Sequence, residues 1–198
     1  MNKFAIIFLI FITGIVQAQT NSEATSVFTK KQQVDQEGVE LYSSNTEMKS
    51  FKKLGLGLML GGATGVLGLN AEFNLDANEA LAIGLGAGPS YGTFSVAWKH
   101  NFDAQYLAPY TKLGYAKWFS SAGNSATDSD VLKRVFSDNE LRSGRFGADF
   151  LIGGMGIEYN QLEGDLAGVN FFGELMMMAE ITKSTLIPTG AVGIIYYY

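Results

Sequence analysis

The sequence predicts an all-β chain in which eight antiparallel strands close into an up-and-down barrel, and three observations support this prediction. Apolar and polar residues alternate with a period of two through most of the chain after residue 51. Such segments recur eight times, and short connections separate most of them. Glycine is abundant, with 24 residues, whereas proline is rare, with 3. Alternation with this period is typical of a strand whose two faces meet different surroundings.

The clearest alternation lies in VLGLNAEFNLD, residues 66–76. Leu67, Leu69 and Phe73 fall on one face, and Asn70 and Glu72 fall on the other. The same pattern predicts strands at about residues 54–62, 66–75, 80–90, 92–102, 106–119, 146–160, 168–181 and 188–198. Each segment is near the roughly nine to eleven residues that a tilted strand needs to cross a bilayer. The fifth and sixth segments alternate less cleanly, and a bulge there would shift their phase.

Glycines on the polar faces of the strands indicate whether those faces point into the barrel or toward external water. The positions concerned are Gly55, Gly57, Gly84, Gly86 and Gly88. On the solvent face of a soluble strand they would weaken the strand without any gain in packing. Inside an eight-stranded barrel, which has little room beyond its own side chains, small residues fit. We therefore predict a transmembrane β-barrel with its leucines outward, short turns and one long external loop. The alternative is a secreted or periplasmic soluble β-barrel that binds a small apolar ligand between inward-facing leucines.

The N-terminal region has the features of a secretory signal peptide. Lys3 precedes an apolar run from Phe4 to Val16, and Ala18 supplies the small residue expected at a cleavage site. We expect residues 1–18 to be removed, because the run is shorter than the roughly 20 residues of a membrane-spanning helix. Residues 19–50 are polar and lack periodicity, which predicts a flexible periplasmic arm. Residues 51–198 form the predicted barrel.

Composition excludes several classes of protein. The chain contains no cysteine, so it has no disulfide framework, thiol nucleophile or cysteine-based metal site. Its net charge is −5, and loss of Lys3 with the signal peptide would make it −6. Because no basic stripe exists to gather phosphates, we expect no nucleic-acid partner. No cofactor and no metal site are predicted.

The C-terminal residues AVGIIYYY resemble a known signal. In the last predicted strand, Tyr196 and Tyr198 share an outward face, where aromatic rings suit a membrane boundary. Gly193, Tyr196 and Tyr198 are similar to the C-terminal signal of bacterial outer-membrane barrels, a glycine followed at the third and fifth places by aromatic or apolar residues. Such signals often have a polar residue two places before this glycine, where this chain has Ala191. The chain thus resembles the small eight-stranded outer-membrane barrels of Gram-negative bacteria. That resemblance implies insertion by the barrel-assembly machinery and contact with outer-membrane lipid and lipopolysaccharide.

Charged residues of both signs are expected in the lumen of a monomeric barrel. They are Glu72, Lys99, Lys112, Glu174 and Glu180. Unpaired buried charges are very costly, so these side chains should pair and close the lumen. A selective pore lined by the same residues is the alternative, although eight strands are too few for a porin-like channel. We therefore expect a structural or surface-interaction role for the protein.

An enzymatic role receives little support from the sequence. A second alternative is a lipid-modifying outer-membrane enzyme that places a histidine, a serine and an acid on one face. The single histidine, His100, shares the outward face of Phe94 and Trp98, whereas Ser95 points inward. Because proton transfer requires these side chains to meet, no catalytic residues are predicted.

The segment of residues 120–145 is the predicted long external loop. Apolar residues that include Val131 and Phe136 form a stripe beside Lys133 and Arg134, which predicts a short amphipathic helix. These four residues are candidates for contact with a partner protein, a surface or lipopolysaccharide phosphates. The alternative, which the apolar stripe favours, is a helix that packs over the rim of its own barrel.

Overall fold

A computed structural model describes residues 39–121 and 130–198, apart from the side chains of residues 130 and 131. The predicted signal peptide and residues 19–38 lie outside the described residues. The described elements are α1 (Asn45–Phe51), β1 (Leu54–Gly61), a 3-10 turn (Gly62–Thr64), β2 (Leu67–Asn74), β3 (Glu79–Gly88), β4 (Tyr91–Asn101), β5 (Leu107–Ser120), α2 (Asp130–Lys133), α3 (Asp138–Ser143), β6 (Gly147–Asn160), β7 (Val169–Glu180) and β8 (Leu186–Tyr197). Of the helices described, none has the length and apolar character required to cross a membrane.

The eight strands close into an antiparallel up-and-down barrel, which confirms the predicted fold. Each strand pairs with the next, and β8 pairs with β1 from Gly55↔Tyr197 to Gly61↔Ala191. Observed and predicted strand limits agree within two residues. Because the strand number is even, β1 begins and β8 ends at the same end of the barrel. We call this the terminal end and the opposite one the loop end.

Side chains alternate between the outer surface and the lumen as the periodicity predicts. Leu69 is 60% exposed, whereas its neighbour Asn70 is 6% exposed. The leucines therefore point outward, and the arrangement with inward-facing leucines that the soluble alternative required is wrong. The fifth and sixth strands contain no bulge, since β5 and β6 pair without interruption from Leu107↔Tyr159 to Phe119↔Gly147.

Inward-facing glycines make room for the side chains and turns that fill the lumen. A Cβ atom on Gly86 would lie 2.1 Å from the carbonyl oxygen of Thr64, in the segment that follows β1. A Cβ atom on Gly55 would lie 2.6 Å from the ring of Tyr197. Both distances are far shorter than van der Waals contact, so only glycine fits these positions in the narrow barrel.

The described part of the predicted flexible arm is folded against the barrel. Tyr42 is 3% exposed, and its backbone N–H donates to Leu162 in the β6–β7 connection. Ser44 caps α1, whose Met48 and Lys49 are fully buried. For residues 39–50 the structure thus differs from the expectation of flexibility. Tertiary contacts with the barrel, rather than local periodicity, order this short segment.

Candidate functional site in the barrel lumen

Four charged side chains meet in the lumen near the terminal end, and we call them the terminal network: Lys49, Glu72, Lys99 and Glu158. The Lys99 ammonium lies 2.9 Å from Glu72 and 2.7 Å from Glu158. The Lys49 ammonium lies 2.5 Å from Glu158 and 3.5 Å from Glu72. None of these side chains is more than 4% exposed. Two cations and two anions therefore balance each other away from water.

Aromatic and amide groups complete the terminal network. The Tyr197 hydroxyl donates to Glu72 at 2.7 Å, and the Lys49 ammonium donates to Asn101 at 2.8 Å. The Lys99 ammonium lies 4.3 Å from the centre of the Tyr110 ring. These contacts occupy donors and acceptors that would otherwise be left unpaired in the lumen.

A second ion pair lies next to the terminal network. Lys112 of β5 and Glu174 of β7 are 3.3 Å apart, and the Tyr110 hydroxyl donates to Glu174 at 2.9 Å. Tyr110 therefore contacts both groups of charges, with its ring near Lys99 and its hydroxyl on Glu174. The lumen side chains form one connected polar cluster across opposite walls.

The structure brings together four of the five lumen residues that the sequence predicts. The fifth, Glu180, lies six residues beyond Glu174 along β7, or about 20 Å at the usual rise of a strand. Glu180 is buried and accepts a hydrogen bond from the backbone N–H of Lys183 at the loop end. It thus belongs to the β7–β8 turn rather than to the terminal network.

Sequence reasoning missed Lys49 and Glu158, which complete the terminal network. Glu158 has the inward phase of its strand, but glycines on both faces of residues 153–156 obscure that phase in the sequence. Lys49 lies in a segment without periodicity, and its burial depends on partners up to 109 residues away in sequence. Counting inward from Asn160 in steps of two would have found Glu158; no local signal points to Lys49.

The loop end of the lumen is filled by apolar side chains and by the 3-10 turn. The Trp118 indole N–H donates to the carbonyl of Ala63 at 2.9 Å, and its ring stacks on Tyr91 with centroids 5.2 Å apart. Phe150 packs against the same indole. Gly61 and Gly65 flank the turn with φ of 85° and 80°, a conformation that glycine adopts without strain. This turn therefore enters the mouth of the barrel.

The long loop packs its apolar residues over the barrel rim. Leu132, Val135, Phe136 and Leu141 are buried in the same cluster as Trp118. Phe136 is one of the predicted contact residues, but its ring is unavailable to a partner because it is buried. Lys133 and Arg134 are exposed, and the side chain of Val131 lies outside the described residues. The helix predicted from the apolar stripe is present only as α2, because residues 134–136 form a turn; α3, which the stripe did not predict, begins at Asp138.

Acidification is expected to loosen α3. The Glu140 carboxylate accepts hydrogen bonds from the backbone N–H and hydroxyl of Ser137, both at 2.8 Å, and lies 3.0 Å from the Lys183 ammonium. These contacts, the backbone hydrogen bond foremost, lower the pKa of Glu140 from its usual 4.5 to about 2. Because the pKa is lower in the folded state, this stabilisation is complete above pH 4.5 and is lost as the pH falls toward 2.

Amide hydrogen exchange of residues 138–143, corrected for its intrinsic pH dependence, measures this effect. Protection should fall within that pH window in the unmodified protein. The Glu140→Gln variant should show low protection at every pH, because it cannot form the carboxylate. Equal pH profiles for the two proteins would contradict the assignment.

His100 lies on the outer face, as predicted, and is close to the terminal end of its strand. Its Nδ1 is 2.6 Å from Glu79, which also accepts a hydrogen bond from the Trp98 indole. Ser95 points inward and is 8% exposed, so the histidine and the serine lie on opposite faces of β4. The sequence did not identify Glu79 as the partner of His100. Among the described residues, no cluster of His, Asp and Glu could hold a metal ion.

The three tyrosines at the end of β8 face different surroundings. Tyr196 and Tyr198 point outward and meet edge to face with centroids 4.9 Å apart, whereas Tyr197 points into the lumen. Gly193 faces the lumen, where a Cβ would lie 2.5 Å from the carbonyl oxygen of Leu58 and about as close to the Phe172 ring. The residues of the predicted assembly signal thus occupy both faces of the closing strand.

Together, the fold and the lumen define a closed, eight-stranded antiparallel β-barrel with an apolar outer surface and a charged interior. The crystal structure of the N-terminal β-barrel domain of Pseudomonas aeruginosa OprF is similar to this chain, with a TM-score of 0.50 and 17% sequence identity. The match covers 72% of this chain and 96% of that domain. At this identity the likeness is one of fold. No protein-family model matches the chain, and no curated protein matches its sequence.

Proposed function

We propose that the protein is an integral outer-membrane β-barrel with a structural role, a closed lumen and no enzymatic activity. The observation that carries the proposal is the distribution of polarity across the barrel wall. Leu58, Leu69 and Leu175 lie at least half exposed on the outer surface, whereas the terminal network is buried inside. In water this arrangement would be unfavourable, because it exposes a continuous apolar surface. In a bilayer it is the arrangement expected of a membrane-spanning barrel.

The outer membrane is the compartment that the sequence features support. The predicted signal peptide directs the chain out of the cytoplasm, and the residues Gly193, Tyr196 and Tyr198 resemble a C-terminal barrel-assembly signal. The partners that follow are the barrel-assembly machinery during insertion and outer-membrane lipid and lipopolysaccharide afterwards. In this orientation the terminal end faces the periplasm and the loop end faces outward.

A closed lumen is the state that the contacts inside the barrel favour. The terminal network and the Lys112–Glu174 pair cross one half of the lumen, and the cluster around Trp118 fills the loop end. A conducting pathway would require several of these contacts to break together. A structural role therefore accounts for the lumen better than a pore does.

The two tryptophans provide the test of membrane insertion. Trp98 is 44% exposed on the outer face, whereas Trp118 is 3% exposed in the lumen. In vesicles with brominated acyl chains, we expect strong quenching of Trp98 emission in the Trp118→Phe variant. The Trp98→Phe variant, which retains Trp118, should show little quenching. Folding of both variants is checked first by a heat-dependent change in electrophoretic mobility.

Two outcomes would contradict the proposal. A fold that is stable in water without detergent would favour a soluble protein. Equal quenching of the two tryptophans would show that the outer surface does not face the acyl chains.

A surface-interaction role is the second candidate, and the cationic face of the loop favours it. Lys133 and Arg134 are exposed, while Leu132, Val135 and Phe136 beside them are buried. Such a face suits lipopolysaccharide phosphates or an acidic partner. Reduced binding to lipopolysaccharide in a Lys133→Gln, Arg134→Gln variant that inserts normally would support this role.

A further inference from the structure

The Lys49 ammonium occupies a site built almost entirely by the barrel wall. Glu158 of β6 lies 2.5 Å away, Asn101 of β4 accepts at 2.8 Å, and Glu72 of β2 lies 3.5 Å away. The ring centre of Tyr197 in β8 lies 5.2 Å from the same nitrogen. Four strands thus surround a single cation that comes from outside the barrel sheet.

The charges of the wall require this cation. Without α1, the wall offers the two carboxylates of Glu72 and Glu158 against the single ammonium of Lys99. One negative charge would then remain uncompensated in a buried position. Because an uncompensated buried charge is strongly unfavourable, the residues of the wall favour the binding of one further cation.

The geometry selects a primary ammonium group. Glu158 and Asn101 accept hydrogen bonds from two of the three N–H donors of the ammonium, and the Glu72 carboxylate, 3.5 Å away, adds an ion-pair contact. The Tyr197 ring offers the additional attraction that cations find near an aromatic face. A quaternary ammonium lacks N–H donors and could not satisfy the carboxylates.

Polar contacts hold α1 at the terminal end beside this site. The Asn45 side chain donates to the carbonyl of Phe102 at 3.2 Å and accepts from the backbone N–H of Ala104 at 2.9 Å. The Thr46 hydroxyl donates to Asp103. These contacts position α1 so that the Lys49 side chain reaches the site, although α1 itself is not part of the barrel sheet.

We propose that the terminal end of the lumen is a binding site for a primary ammonium group, and that α1 occupies it with Lys49 as a tethered ligand. When the Lys49 side chain is absent, a free primary amine with a short alkyl chain takes its place.

The test is chemical rescue of Lys49→Ala in the full-length protein. This substitution removes the atoms of n-propylammonium and leaves the wall intact. We expect Lys49→Ala to unfold at a lower urea concentration than the unmodified protein in detergent micelles. Added n-propylammonium should raise the unfolding midpoint progressively, as expected for a ligand that binds only the folded state.

The controls separate a specific site from general effects of salt. Sodium and tetramethylammonium chloride at the same ionic strength should not restore the midpoint, and neither should n-propanol. The Lys49→Met variant should also resist rescue, because its side chain fills the space of the lysine stem. If Lys49→Ala does not fold, the yield of the heat-modifiable folded form with and without n-propylammonium is measured instead.

Rescue of Lys49→Ala by n-propylammonium alone would establish the site. The absence of rescue, or equal rescue by tetramethylammonium, would overturn the proposal. Neither result alters the tryptophan quenching that tests membrane insertion, so the two proposals can fail separately.

Discussion

Replacement of Lys99 by methionine is expected to lower the free energy of unfolding by about 3–5 kcal/mol, the usual cost of removing one partner from a buried ion pair. Lys99 contacts both Glu72 and Glu158, and its side chain is 4% exposed. In its absence, Lys49 alone would face two buried carboxylates. Urea unfolding in detergent micelles, followed by the heat-dependent shift in mobility, measures the effect.

Lys117→Met is the matched control for Lys99→Met. Lys117 lies 3.0 Å from Asp149, but its side chain is 48% exposed. Exposed ion pairs contribute about 0–1 kcal/mol, so this variant should unfold almost as the unmodified protein does. Similar losses of unfolding free energy in the two variants would show that burial does not determine how much the terminal network stabilises the protein.

Replacement of Gly57 by alanine is expected to prevent closure of the barrel. Its Cβ atom would lie 2.1 Å from the carbonyl oxygen of Ile194, in the strand that pairs with β1. Overpacking in a core usually costs about 1–3 kcal/mol, because flexible side chains can move aside. A backbone oxygen in a paired strand cannot move aside, so we expect a larger loss of stability. The fraction of heat-modifiable protein after refolding measures closure.

Gly173→Ala is the control for this substitution. Gly173 faces outward in β7, and a Cβ atom there would meet no atom within 4 Å. We expect this variant to refold as efficiently as the unmodified protein. Full refolding of Gly57→Ala would show that the β1–β8 pairing tolerates a shift of the backbone.

The strands were predictable because most of them alternate between an apolar outer face and an inner face that includes polar or small residues. A period of two located all eight, and the inward glycines indicated a narrow lumen. The lumen residues Glu72, Lys99, Lys112 and Glu174 followed from the same phase. The apolar stripe of the long loop likewise predicted its packing on the rim.

The N-terminal part of the site could not be predicted in this way. Helix α1 is seven residues long and too short to show a reliable period. Its position depends on the pairing of Lys49 with Glu158, which brings together residues far apart in sequence. Such pairing depends on the closed barrel, and no local pattern encodes it.

The position of Lys49 also links complete docking of α1 to closure of the barrel. Its partners lie in β2, β4, β6 and β8, so they converge only after the whole sheet has formed. Helix α1 is synthesised before every strand, yet the full set of contacts around its Lys49 exists only when β8 is also in place. A fully paired Lys49 is therefore a marker of the closed sheet, carried by a segment that is synthesised before any of the strands.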